Sequence, residues 1–233
     1  MRRHELINRF VSLFDQPRYL EVGVEEGLTF KEIEADWRIG VVPHPHFEDD
    51  SFLGENFQIF RMPSDQYFAD AVEIGLPFDV AFIDGLHTAE QTLRDFTNVL
   101  NFTKNDAVIL IDDIRPANWV EALPLDLWVK VRPLAEGTYT GWTGDVFKLL
   151  YLIETFFPSI ELRIPAEDPN LVICWKRTKS RPLAKPFAAR LEEVAAAQYP
   201  QFLLSKANFA ATGLESIVAD YRQSRAEWAA SGR

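Results

Sequence analysis

The chain has 233 residues, 47% hydrophobic and 25% charged, which suits one α/β domain with some additions, and its eighteen Phe and six Trp allow a well-filled core. A formal net charge of -11 argues against a nucleic-acid backbone or an anionic membrane as partner. A single cysteine, Cys174, excludes an internal disulfide framework and sits in an apolar run as a buried, inert thiol. No apolar run is long enough to span a bilayer, and the N-terminus lacks a signal-peptide apolar region, so the expected compartment is the cytoplasm.

In chain order, Leu6, Ile7, Phe10, Val11 and Phe14 predict a helix over 4–15, ended by Pro17. Tyr19 to Val24 reads as a strand, Thr29 to Ala35 as the helix after it, and Trp37 to Val42 as a second strand. Residues 43–50, with two prolines, form a loop. Its pair His44-x-His46 lacks a third ligand at fixed spacing and reads as solvated. Phe57 to Phe60 is a short strand, and Ser64 caps a helix with Asp65 in its first turn. Phe78 to Ile83 and Ala107 to Ile111 are buried parallel strands flanking a helix over Thr88 to Leu100. Strand–helix alternation at this spacing implies right-handed βαβ units and a parallel sheet.

The second half is less regular. Residues 115–140 hold three prolines and suit a substrate-side insertion. Asp145 to Phe157 predicts an amphipathic helix, and Ile160 to Ile164 with Leu171 to Trp175 an antiparallel hairpin closing the sheet. From Lys176 the composition shifts, so the chain divides into a domain over 1–177 and a helical extension over 178–233. The apolar residues of that extension suit packing on the domain or a homodimer contact.

Two features carry chemistry. The first is the run Tyr19-Leu-Glu-Val-Gly-Val-Glu-Glu-Gly27, an apolar strand that turns on two glycines. Such a turn lets backbone approach a ligand, and a helix after it offers free N–H groups. The second is a set of acidic strand ends. Asp84 closes the strand at 80–83, and Asp112 and Asp113 close the strand at 108–111. In an open α/β sheet these positions share one edge, where ligands bind. Three carboxylates so placed repel one another, and a hard divalent cation such as Mg²⁺ relieves them; capping helices or pairing with Arg94 or Arg115 is the other reading. His87, three residues after Asp84, has a near-neutral ring that can take a proton from a hydroxyl, or serve as an aspartate's partner at the helix entry.

Together the Tyr19–Gly27 turn, Phe78-Asp-Val-Ala-Phe-Ile-Asp-Gly-Leu-His-Thr88 and Ile111-Asp-Asp113 resemble the class I S-adenosylmethionine-dependent methyltransferases, in particular the bacterial group that includes macrocin O-methyltransferase-like enzymes. Ser64-Asp-Gln-Tyr-Phe68 and Trp142-Thr-Gly-Asp-Val-Phe-Lys148 are similar to segments of that group. The resemblance spans about residues 17–176. It implies a Rossmann-like, seven-stranded, mostly parallel sheet with helices on both faces. It implies S-adenosylmethionine over Glu21, Gly23, Gly27 and Thr29, with Met62, Ser64 and Asp65 near the adenine and Asp84 also in contact. It implies Mg²⁺ on Asp84, Asp112 and Asp113, His87 or Asp84 as proton acceptor, and a small-molecule hydroxyl as methyl acceptor. One position departs: where the group carries a ribose-binding acid after its second strand, this chain has Val42, leaving the diol to His44, Glu48 or a water.

The acceptor is expected between the 115–140 segment and Trp142–Lys148, with Trp119, Trp128, Tyr139 and Trp142 as an apolar wall and Lys148 either on an anionic substrate group or solvated. Two other readings stay open. One is a metal-free methyltransferase or a module that binds S-adenosylmethionine without turnover. The other is a nucleotide-dependent oxidoreductase, against which stand the glycine spacing, Val42, and Arg38 on the wrong side of its strand end.

Overall fold

The computed structural model describes residues 1–70, 77–135, 141–180 and 190–231. Its centre is built from the uninterrupted apolar runs. Strand β4 (Phe78–Ile83) is buried at every position and β5 (Thr103–Ile111) over its last five. They pair in parallel; β1 (Arg18–Val22) flanks β4 on the other side, followed by β2 (Trp37–Val41) and β3 (Phe57–Phe60). Beyond β5, β7 (Val172–Lys176) runs antiparallel, and β6 (Ile160–Pro165) is antiparallel to β7. The chain winds outward from β1 to β3, then returns to β4, so strand order switches between β1 and β4. Ligands of open α/β sheets bind at the carboxyl edge of such a switch.

The sheet has eight strands rather than the seven expected. The extra one, β8 (Ala211–Thr212), comes from the C-terminal extension and lies parallel to β6. It is two residues long and held by backbone pairing and by the bond from Ala166 N–H to Thr212 O. The next helix, α8 (Leu214–Ser231), starts with the Leu214 N–H on the Glu167 carboxylate, the kind of N-terminal partner a helix needs.

Alternating strand residues feed two cores. On one face, α1 (Arg3–Val11) and α8 pack Leu6, Ile7, Phe10, Ile217 and Tyr221 against Tyr19, Val80, Leu110 and Trp175. On the other, α2 (Ser64–Asp70), α3 (Ala89–Phe102), α5 (Lys148–Phe156), α6 (Leu191–Ala196) and α7 (Tyr199–Ser205) enclose Leu20, Ala81, Ile109 and Cys174. Burial pushes the Cys174 thiol far up, as an inert core residue requires. Helix α4 (Leu125–Val131) contributes no buried residue. Among the described residues no helix is long and apolar enough to cross a membrane.

The helix expected over Thr29–Ala35 does not form. A single 3₁₀ turn, Phe30–Glu32, stands there. Asn8 of α1 captures Glu32 O and Glu34 N, the backbone groups a longer helix would pair internally. Phe30 is buried against Tyr19 and Phe57, and the Asp36 N–H already bonds Pro17 O, so too few residues remain for a second turn. The glycine turn therefore feeds a loop and not a helix N-terminus.

The described helices of the extension are integral to both cores. Tyr221 stacks edge-on against Phe10 and Trp175, and its hydroxyl donates to Asp106 O at 2.5 Å. Tyr221→Ala should cost about 3–5 kcal/mol and shift a single cooperative urea transition. A separate early transition confined to the tail would show an independently folding appendage.

Candidate active site

Three backbone bonds tie the strand ends together: Gly23 N–H to Val41 O (2.8 Å), Asp84 N–H to Val22 O (2.8 Å) and Asp112 N–H to Ile83 O (3.0 Å). The parallel ladder thus runs one residue past each strand and sets Asp84 and Asp112 side by side. Gly23 has φ 96°, and a Cβ there would run into the Asp84 carbonyl. Only glycine allows that approach. Asp113, at φ 61°, turns the chain so that its carboxylate joins the same edge.

A cavity of about 1040 Å³ opens over this edge. Its floor is Val22, Gly23, Asp84 and Gly85, and one wall holds His87, Trp128 and Trp142. His87 Nε2 lies 3.0 Å from Asp113 Oδ2 and 3.6 Å from Asp84 Oδ1, its Nδ1 bonds the Trp142 carbonyl at 2.6 Å, and its ring stacks on Trp142. The segment after Trp142 is locked onto α3. A Cβ on Gly144 would meet the His87 carbonyl, and Asp145 accepts the Ala89 N–H at 2.7 Å.

Asp84, Asp112 and Asp113 line the same cavity edge but divide their partners. Asp84, His87 and Asp113 place one ligand atom each within 4.8 Å of one another. Asp112 instead meets Arg3, whose Nη2 is 2.6 Å from its Oδ2, and Asn170, whose Nδ2 donates to both Asp112 and Asp113. Arg3 Nη1 also reaches Asp84 Oδ2 at 3.4 Å. Arg94 pairs with Asp65 and Glu90, so it is not the counter-ion here. Burial, with the charges of Asp84 and Asp113, pushes Asp112 well above the usual carboxylate range.

His87 is not near neutrality. Burial lowers its pKa, but the hydrogen bonds to Asp113 and Asp84 outweigh that and push it up to about 11. Both ring nitrogens face acceptors, Nε2 the Asp113 and Asp84 carboxylates and Nδ1 the Trp142 carbonyl, an arrangement that favours the protonated ring. Lys148 is likewise neither solvated nor turned to a substrate. It is buried, 2.9 Å from Asp145 Oδ2, and donates to Ala195 O.

At the far end of the cavity Ser64 and Asp65 line the wall with Gln91 and Asp95. The Gln91 Nε2 donates to Ser64 Oγ, Asp65 Oδ1 and Asp95 Oδ1 at 3.1–3.3 Å. Met62 packs against the core beside them. Glu21, Gly27 and Thr29 lie behind the lining: Glu21 is buried and accepts the Tyr19 hydroxyl at 2.6 Å, Gly27 (φ 74°) faces Leu53 and Phe52, and Thr29 precedes the 3₁₀ turn. Val42 is on the lining, and of the groups that could replace a ribose acid, His44 and Glu25 face the cavity. Arg38 is buried and spends its donors on Phe30 O, Leu53 O and Glu55 O. Trp119 is exposed and not part of the wall; Tyr139 lies outside the described residues.

Residues 20–114 match the family model of a methyltransferase domain. That match runs from within β1 to just past the end of β5. Among solved structures, cofactor-bound Rv0187 from MTB shares the fold, with a TM-score of 0.51 at 12% identity over 74% of this chain and 78% of that one. MycE methyltransferase from the mycinamycin biosynthetic pathway, in complex with Mg, SAH and mycinamycin VI, gives a TM-score of 0.47 at 14% identity, over 74% of this chain and 47% of its own. This chain therefore spans about half the length of MycE. The O-methyltransferase TomG from Streptomyces achromogenes, involved in tomaymycin synthesis and solved with SAM, gives 0.47 at 12% identity, over 75% and 79%. No curated protein sequence matches the chain.

Sequence reasoning about this site missed Arg3, Asn170, Gln91 and Asp95. A signal for Asn170 was present. An antiparallel strand begins where its parallel neighbours end, so the turn before β7 belongs to the ligand edge. For Arg3 no local signal exists, because α1 precedes the sheet and only tertiary packing aims its first turn.

Burial, then the Asp84 charge, pushes Glu21 up to about 8 from an ordinary 4.5. The unfolded chain therefore releases this proton near pH 4.5 and the folded chain near pH 8, so stability falls as pH rises through that window. Glu21→Gln removes the loss. It should leave stability near wild type at pH 5 and raise it by about 1–4 kcal/mol at pH 8.5, read by chemical denaturation at each pH.

Proposed function

We propose that this chain is an O-methyltransferase that uses S-adenosylmethionine to methylate a hydroxyl of a small molecule (a sugar, a phenol or a natural-product scaffold), with Mg²⁺ assisting. The observation that supports this is the convergence of Asp84, His87 and Asp113 at the cavity floor, beside Gly23. The donor set fits a hard cation, since the carboxylates of Asp84 and Asp113 converge, and burial together with the charges of Asp84 and Asp113 raises Asp112 behind them. The cavity and the close approach at Gly23 fit an extended cofactor. Asp84 and Asp113 would hold the ion, with Asp112 behind them through Arg3 and Asn170. When bound, S-adenosylmethionine supplies an already activated methyl and Mg²⁺ lowers the pKa of a hydroxyl beside it.

The chain's own part is alignment and proton removal. A hydroxyl placed over the floor meets the Asp84 carboxylate, which can accept its proton. His87, held as imidazolium, orients that carboxylate and Asp113 and does not serve as the base. Trp128 and Trp142, tilted against each other, give the acceptor an aromatic wall. Ser64, Asp65, Gln91 and Asp95 offer the polar groups that an adenine edge needs. A net charge of -11 suits an uncharged small acceptor better than a nucleic acid.

A second reading, methyl transfer without a metal, is favoured by one observation: Arg3 and His87 already supply positive charge to the cluster. Turnover decides between them. Release of S-adenosylhomocysteine should be followed across sugars, catechols and phenols, with EDTA and then with added Mg²⁺. Loss in EDTA and recovery with Mg²⁺ supports the first reading; undiminished turnover in EDTA refutes it. Asp84→Asn should lower kcat by about 10²–10⁴-fold while S-adenosylhomocysteine affinity, measured by calorimetry, changes little. His87→Ala should cost less, since it removes an orienting group and not the base.

A further inference from the structure

We infer that Arg3 is a built-in competitor for the divalent cation: its guanidinium holds cavity-edge oxygens of Asp112 and Asp84, so all three aspartates can share one ion only when the first turn of α1 lets go. The inference rests on the metal-assisted reading and adds to it a device that this chain carries in its N-terminal helix.

The geometry is specific. Arg3 Nη2 lies 2.6 Å from Asp112 Oδ2, Nη1 3.4 Å from Asp84 Oδ2, and Nε 4.0 Å from Asp168 Oδ2. A fork that spans two carboxylates from separate strands bridges them as an ion would. The guanidinium also lies over the Phe82 ring, 5.7 Å from its centroid, so β4 supplies a surface for it. Arg3 is delivered by a helix whose position is set elsewhere: Leu6, Ile7 and Phe10 are buried in the core, and Asn8 ties α1 to the loop after the glycine turn.

The same contact is built to open. The Arg3 side chain keeps 31% of its exposure, and its Nε is buried without a hydrogen-bond partner among the described residues. It thus makes fewer bonds than a guanidinium can. Arg3 is the first residue of α1, where helices fray, and Arg2 and Glu5 close that turn only through exposed contacts. Asp84, Asp112 and Asp168 all face the one guanidinium, so a second cation at this edge competes with Arg3 for the same oxygens. With Arg3 in place that ion is left Asp84 and Asp113 and meets a neighbouring cation; with Arg3 swung outward it gains Asp112.

The test uses the full chain and the metal alone. Mn²⁺ and Mg²⁺ are titrated calorimetrically into wild type and Arg3→Gln, and hydrogen exchange is followed in the first turn of α1 with and without MgCl₂. Arg3→Gln should bind Mn²⁺ about tenfold more tightly or better, a difference of about 1.4 kcal/mol, and Mg²⁺ should speed exchange at the start of α1 in wild type. Equal or weaker binding by Arg3→Gln overturns the competitor role while leaving the metal reading intact. No binding by either protein overturns the metal reading and this inference with it. Should Arg3→Gln fail to fold, wild-type exchange decides alone: faster exchange with Mg²⁺ supports release of Arg3, and unchanged exchange refutes it.

Discussion

Asp112 is buried next to two other carboxylates, and that arrangement depends on positive charge from elsewhere in the chain. The backbone bonds that carry the ladder past Val22, Ile83 and Ile111 force the proximity, because a parallel strand cannot shift its end without losing register. Arg3 and His87 answer it from two different elements, α1 and the loop before α3. Asn170 adds a neutral bridge from the turn before β7. The active edge is therefore an electrostatic balance imposed by sheet geometry. The helices around it are placed as much by where they deliver charge as by what they bury.

The glycine-turn side of the cavity is shaped by backbone more than by side chains. Without an α-helix after the glycine turn, no helix dipole points at the ligand from that direction. The free approach is provided by Gly23, set against the Asp84 carbonyl. Val42 lines the cavity where the resembled group carries a ribose-binding acid, and Glu25 and His44 line it nearby. The polar cluster of Ser64, Asp65, Gln91 and Asp95 is more ordered, since one side-chain amide joins all three oxygens. This end of the cavity is pre-organised, whereas Glu25 and His44 at the other are more exposed.

The C-terminal extension belongs to the architecture of the site although it lies away from it. Tyr221 packs on Phe10 of α1 and thereby helps hold the helix that carries Arg3. On the opposite face Ala195 O and Asp145 fix Lys148, and Asp145 in turn caps α3 just after His87. Mechanical support of this kind, through residues that touch no substrate, keeps reacting groups within a narrow range of positions.

The sheet was legible in the chain because its signals are local. Uninterrupted apolar runs at 78–83 and 107–111, a helical period between them, and acids at the strand ends are properties of neighbouring residues. Those properties were enough to place Asp84, Asp112 and Asp113 on one edge. The sequence by itself also determined Gly23, since its backbone conformation and close contact leave no other residue. Tertiary structure alone decided the rest. It aimed Arg3 across 81 residues of chain to Asp84, set His87 between Asp84 and Asp113 so that its protonated form is favoured, buried Lys148, and let Asn8 claim the backbone groups of an expected helix. The reason is common to all four. Charge state and helix length depend on which distant groups arrive within hydrogen-bonding distance, and local composition does not encode that arrival.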